Sequence, residues 1–194
     1  MRVIAGTARR IPLSAPKGMT TRPTSDRAKE SLFNILAGRI SDARFLDLFC
    51  GSGAIGIEAL SRGASAITFV DNSKFSQTAV SENLGKTKMN QSEVQILRMN
   101  ASSAIRQLNQ AHRQYDIIFL DPPYDMRGTN FLAETLQVLA DTALLAKDGL
   151  LIAETDTRTG AKFANDDLQL PFIQSDMRTC GQTCFLFFEW GGVE

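Results

Sequence analysis

The chain has 194 residues, 43% of them hydrophobic and 22% charged, with 21 Lys plus Arg balanced by 21 Asp plus Glu. That length and balance fit one soluble domain with a sizeable core, or one domain with a small appendage, and exclude a disulfide-stapled miniature or a disordered chain. No apolar run nears the roughly 18 residues of a membrane span, and the opening MRVIAGTARR lacks the long apolar segment and cleavage site of a secretion signal. The expected compartment is the cytoplasm.

Residues 1 to 23 are short, basic and broken by Pro12, Pro16, Gly18 and Pro23. They read as a small arm or hairpin, distinct from the body at 24–194. The first 40 residues carry eight Lys or Arg against only Asp26 and Glu30, a local charge of +6 that leaves −6 on the rest. Such asymmetry suits a face for a polyanion.

Next, TSDRAKESLFNILAGRI has helix chemistry. Thr24 or Ser25 can cap it, Asp26 suits the first turn, and Ala28, Leu32, Ile35, Leu36 and Ile40 recur at helical spacing. Strands and helices then alternate. Strands are expected at 44–49, 66–70, 94–98, 115–120 and 150–154. Helices are expected at 54–63, 73–84, near 101–109 and at 129–140, the last with Phe131, Leu132, Leu136 and Leu139 inward. The tail, 167–190, reads as two strands hinged near Gly181. Alternation of this kind implies a mostly parallel α/β sheet covered on both faces. Right-handed crossovers place the strands' C-terminal ends on one edge, where ligands bind.

The chemistry-bearing residues all sit at strand ends. Gly51, Gly53 and Gly56 spell G-x-G-x-x-G between a strand and a helix, and Asp71 ends the next strand, 20 residues past Gly51. This is the pattern of dinucleotide binding, so a nicotinamide-dependent oxidoreductase is a serious reading. Asp47 weighs against it. A carboxylate four residues before the first glycine is awkward beside a pyrophosphate and suits a cationic or amino-bearing ligand. The fourth strand, DIIFL, ends in Asp121-Pro122-Pro123-Tyr124. Two prolines fix φ and remove two backbone donors, so the turn offers rigid acceptors. An aspartate and a fixed carbonyl can grip the N–H bonds of a planar exocyclic amine, and a tyrosine gives a face on which its base can stack. Methyl transfer to such an amine needs alignment more than a strong base.

DLFCGSGAIGIEALSRGA resembles motif I of the class I S-adenosylmethionine-dependent methyltransferases, and DPPY resembles motif IV of the amino-methyltransferases. The resemblance implies a Rossmann-like, mostly parallel seven-stranded sheet with a C-terminal antiparallel hairpin. It implies S-adenosyl-L-methionine held by Asp47, Cys50, Gly51, Gly53, Asp71, Asn72, Asn100, Ala101 and Asp121. It also implies an amine held by Asp121 and the Pro122 carbonyl, with Tyr124 stacking and Pro123 stiffening the turn.

MRVIAG, APKGMTTRPTSDRAKESLFNIL, DPPYDMRG and TCGQTCFLFF, taken with motif I, resemble the bacterial 16S ribosomal RNA guanine-N2 methyltransferases of the RsmD family over nearly the whole chain. RPTSDRAKE is the most family-specific stretch. Cys50 and the Asp71-Asn72 pair depart conservatively from the family's commoner residues. The resemblance implies a guanine in a hairpin loop of 16S rRNA, on the small ribosomal subunit or a late assembly intermediate, and a monomeric enzyme. Arg9, Arg10, Lys17, Arg22 and Arg27 are then candidates for phosphates flanking a flipped base. From the clamp chemistry alone, adenine N6, cytosine N4 and guanine N2 stay open. Competing readings are a DNA or other RNA adenine-N6 methyltransferase, the oxidoreductase, and a catalytically dead RNA-binding module. The three cysteines, Cys50, Cys180 and Cys184, lack metal-site spacing, and the single histidine, His112, reads as a surface residue, so no metal is expected.

Overall fold

The structure, a computed structural model, describes residues 1–17, 24–89, 93–123, 131–163 and 170–191. Seven strands form one sheet in the order β3-β2-β1-β4-β5-β7-β6. They are β1 (Arg44–Leu48), β2 (Ala66–Asp71), β3 (Val94–Arg98), β4 (Tyr115–Leu120), β5 (Leu145–Asp156), β6 (Phe172–Cys180) and β7 (Thr183–Trp190). The first five pair in parallel. β7 inserts antiparallel between β5 and β6, and its hairpin with β6 turns at Gly181, whose φ is +64°. The seven-stranded sheet with a C-terminal hairpin is therefore present.

The central strands are buried on both faces, which is why they read as largely apolar runs. Alternation sorts their side chains. Phe45, Ile117, Phe119, Ile152, Phe185 and Phe187 face one layer, with α1 (Asp26–Ile35), α2 (Ala54–Ser61) and α3 (Lys74–Thr87). Leu46, Leu48, Ile118, Leu120, Leu151 and Leu186 face the other, with α4 (Ala101–Gln110), α5 (Phe131–Ala140) and α6 (Thr157–Phe163).

Helix starts follow their caps. The Ser25 hydroxyl accepts from the Ala28 amide at 3.1 Å, Ser73 caps α3, and the Asn100 side chain accepts from the Ser103 amide at 2.8 Å.

Several expectations are corrected. The first helix ends at Ile35 in a 3-10 turn, Leu36–Gly38, so Ile35 lies outside the apolar stripe and is exposed. The fifth strand is longer, starting at Leu145, and a short helix, α6, follows it where no helix is apparent in sequence. Its stretch, TRTGAKF, is short and weakly periodic, and it is held by the Asp156 carboxylate accepting from the Arg158 and Thr159 amides. Phe131 is half-exposed, not inward, because it stands at the open start of α5.

The N-terminal segment is pinned, not loose. Arg2 bridges Pro12 in antiparallel fashion, and Val3, Ala8 and Leu13 are buried in the α1–α3 layer. The described helices include none long and apolar enough to cross a membrane.

Candidate active site

A cavity of about 470 Å³ opens at the C-terminal ends of β1, β2, β3 and β4, within the roughly 300–1,000 Å³ usual for small-molecule sites. Its wall is assembled from successive strand ends. β1 brings Asp47 and the loop Phe49, Cys50, Gly51. β2 brings Asp71 and Asn72. The turn after β3 brings Met99, Asn100 and Ala101. β4 brings Asp121 and Pro123. Met1, Ala15, Pro16 and Thr24 close it from the N-terminal side, and Phe131 and Glu134 from α5.

The loop after β1 is shaped by backbone geometry. Phe49 sits at φ 62°, a left-handed value that a bulky residue rarely adopts, followed by Gly51 at 53° and Gly53 at 75°. The Gly51 amide donates to Asp71 Oδ2 at 3.0 Å, and the Cys50 amide donates to the Val70 carbonyl at 3.0 Å, so the loop is tied to β2. Asp71 Oδ1 accepts from the Ser73 amide at 2.8 Å. Asp47 Oδ2 accepts from the Gly56 amide at 3.0 Å.

Of the residues expected to hold the cofactor, Gly53 is the one that does not reach the cavity wall. It is buried, caps α2, and packs against Val80 and Phe69. Its left-handed backbone is what the sequence pattern registers. Pro122 is likewise absent from the wall but adjoins both residues that form it. Tyr124 and Arg22 lie outside the described residues.

The basic residues are scattered. The turn that carries Arg9 and Arg10 packs at the Ser61 end of α2: the Thr7 amide donates to the Ser61 carbonyl at 2.8 Å and the Ala8 amide to Ser61 Oγ at 3.0 Å. The cavity adjoins the Ala54 end. At about 1.5 Å per residue these ends are roughly 10 Å apart. Arg9 and Arg10 thus stand a helix-length from the mouth, whereas Lys17 follows cavity-lining Pro16 directly. Arg27 is exposed on the first turn of α1. Lys29, counted in the N-terminal excess, is buried and paired with Glu58.

The cavity is acidic. Asp47, Asp71, Asp121 and Glu134 line it, and no lysine or arginine side chain does among the described residues. Burial pushes the Asp47 carboxyl up to about 7, against the Gly56 hydrogen bond and with help from the charges of Asp71 and Glu154. Burial also drives Asp121 well above the ordinary carboxylate range, reinforced by Glu154 and Asp47. Glu154, which sequence reading treats only as a strand end, is nearly fully buried. It is pushed up to about 7 by burial, moderated by a 2.6 Å hydrogen bond from Thr24 Oγ1. A charged residue closing an otherwise apolar strand is the signal that could have singled it out.

A family model described as "Conserved hypothetical protein 95" matches residues 1–189. Ribosomal RNA small subunit methyltransferase D of Escherichia coli K12 is 38% identical over 160 residues, covering 82% of this chain and 77% of its own. The Haemophilus influenzae protein of the same name is 34% identical over 159 residues, covering 80% and 79%. The chain belongs to the RsmD family. In three dimensions it matches the Escherichia coli protein yhhF with a TM-score of 0.81 at 32% identity, covering 98% of this chain and 97% of that one. A more distant structure, SMU.776 solved with SAH, shares the fold at 18% identity with a TM-score of 0.70 over 82% of this chain and 48% of that one.

The fold is that of the class I methyltransferases, and the cofactor of this fold and family is S-adenosylmethionine. The RsmD-family cavity here has a donor set that suits it. Asp47 offers a carboxylate to an ammonium, Asp71 offers acceptors to a ribose diol, and Met99 and Ala101 offer an apolar bed beside Asn100. The absence of lysine and arginine from the described wall suits a ligand that is itself cationic.

Proposed function

We propose that the protein methylates the exocyclic N2 amine of a guanine in a hairpin loop of 16S rRNA, within the small ribosomal subunit or a late assembly intermediate. The observation that carries this reading is the placement of Asp121 and Pro123 on the wall of an acidic cavity, beside the glycine loop and Asp71. Relatives named for small-subunit rRNA methylation support the substrate class.

S-adenosylmethionine, when bound, supplies an electrophilic methyl group. Asp47 holds the ammonium end and Asp71 the ribose hydroxyls, while Cys50, Gly51, Asn72, Asn100 and Ala101 complete the cradle. Gly53 acts through the loop's shape. Asp121 and the Pro122 carbonyl accept the two N–H bonds of the amine, turning its lone pair toward the methyl carbon. Pro123 stiffens that turn, and Tyr124 is the stacking surface for the base. The bound donor would supply the methyl group, the carbon–sulfur electrons remaining with its sulfur, and the amine would shed one proton. Alignment of the partners supplies most of the rate.

An oxidoreductase reading is disfavoured by the same wall. A dinucleotide pyrophosphate would meet several carboxylates and, among the described residues, no compensating lysine or arginine. The deciding assay offers tritiated cofactor with small subunits lacking the modification, with naked 16S rRNA, and with duplex DNA. Label on N2 of one guanine in subunits is the expected result, and label on DNA alone refutes it. Asp121→Ala should abolish transfer with cofactor binding retained, and normal turnover would remove the clamp from the mechanism.

A further inference from the structure

Asp47, Asp121 and Glu154 stand on one face of the sheet. Asp47 alternates with Phe45, and Glu154 with Ile152, in the α1–α3 layer. β4 and β5 pair Phe119 with Ile152 and Leu120 with Ala153, so the next step sets Asp121 beside Glu154. Glu154 does not line the cavity, whereas Asp121 does. Its Oε2 accepts from the Thr24 hydroxyl at 2.6 Å, and Thr24 does line the cavity, one residue before the Ser25 cap of α1. The one described side-chain contact from the RPTSDRAKE stretch to the β4–β5 corner thus runs through a buried carboxylate. A neutral residue would satisfy packing there, so the charge calls for another account.

We propose that Glu154 is a positioning residue for the Asp121 acceptor, anchoring Thr24 at the cavity wall and keeping Asp121 a strong acceptor for the proton that leaves the methylated amine. The inference rests on the methyl-transfer reading above. Two carboxylates side by side in a low-dielectric corner cannot both ionise easily, so when both are charged each is a stronger proton acceptor than an isolated carboxylate. The charges that act on Asp121 are Glu154 from β5 and Asp47 from β1, and the same cavity is lined by Asp71, Cys50, Glu134 and Met1 with its amino terminus. The described wall holds no lysine or arginine to relieve this crowding. Protonation of Asp121 by the departing proton discharges one of the crowded carboxylates, so proton loss and electrostatic relief coincide.

The test compares wild type, Glu154→Gln and Thr24→Val by single-turnover transfer across pH, with the side-chain carboxyls of the 13C-labelled cofactor-free protein titrated by NMR. Glu154→Gln removes a negative neighbour, so the acidic limb of the rate profile should move to lower pH by roughly one unit. The Asp121 carboxyl should titrate lower by a similar amount. Thr24→Val should raise the KM for RNA severalfold. An unmoved limb in a folded Glu154→Gln overturns the proposal. So does an Asp121 that titrates in the ordinary carboxylate range in wild type, a measurement that stands even if the variant does not fold. A wild-type KM in Thr24→Val overturns the anchoring half. Absence of wild-type transfer to any RNA would refute the methyl-transfer reading separately, and the carboxyl titration would still judge the pair.

Discussion

Lys29 and Glu58 form a buried ion pair, 3.4 Å apart and 1% and 0% exposed, that fastens the N-terminal hairpin to α2. Glu58 also accepts from the Ile4 amide at 2.7 Å, the Ala5 amide at 3.0 Å and Arg62 Nε at 2.8 Å, while Lys29 Nζ donates to the Arg2 carbonyl at 2.6 Å. Every charge in the cluster is met by a partner, the condition under which buried charge is tolerated. Glu58→Ala would leave Lys29 charged in the core and two amides unpaired. A loss of about 3–5 kcal/mol is expected, read by urea unfolding. Because the hairpin places Met1, Ala15 and Pro16 on the cavity wall, cofactor affinity should fall with it.

Asp47 must lose a proton to hold an ammonium, and burial has raised it to about 7. Below that value each unit of pH should weaken cofactor binding by up to about tenfold, with a plateau above it. Calorimetry in buffers of different ionisation enthalpy should show a proton released on binding near pH 6.5 and almost none at pH 8.5.

The same groups set a pH dependence of stability. Asp47 and Glu154 are raised in the folded protein, so the native state binds more protons than the unfolded chain between the ordinary carboxylate range and about 7. Their contribution is greatest at the acid end of that window and is lost as pH rises through about 7. Glu154→Gln should flatten this part of the profile in chemical denaturation. An unchanged slope would show that Glu154 does not titrate there.

Gly56 brings α2 close against Phe69 of β2 and Asp47 of β1. A Cβ there would collide with the Phe69 ring and stand 3.2 Å from Asp47 Oδ2. Gly56→Ala should cost about 1–3 kcal/mol of stability and weaken cofactor binding by displacing Asp47, measured by thermal unfolding and calorimetry on one sample.

Arg9 and Arg10 stand a helix-length from the mouth, so their phosphates would belong to RNA beyond the target base. Arg9→Glu with Arg10→Glu should weaken RNA binding and lower the magnitude of the salt slope by roughly one to two, while cofactor affinity holds. Equal loss of both affinities would defeat this division.

The parallel arrangement of the first five strands was readable because apolar runs alternate with helical segments along the chain. That Asp47, Gly51, Asp71 and Asp121 meet at one cavity was legible for a related reason: each stands at a strand's C-terminal end, and those ends share one sheet edge. Ile35, Lys29 and Glu154 were not readable, since each depends on what another part of the chain brings near. Lys29 looked like one more surface cation because Glu58 lies 29 residues away. Helix α6 escaped because seven residues carry too little periodicity to outweigh their Thr and Gly content.

By itself the sequence determined the fold class, the glycine loop, Asp71 and the rigid end of β4, because periodicity and backbone restriction are local properties. Only the tertiary structure decided that Asp47, Asp121 and Glu154 crowd one corner, that Thr24 reaches that corner, and that the turn carrying Arg9 and Arg10 packs at the far end of α2. Those outcomes depend on strand register and helix length, which place residues by distance through space and not by position along the chain.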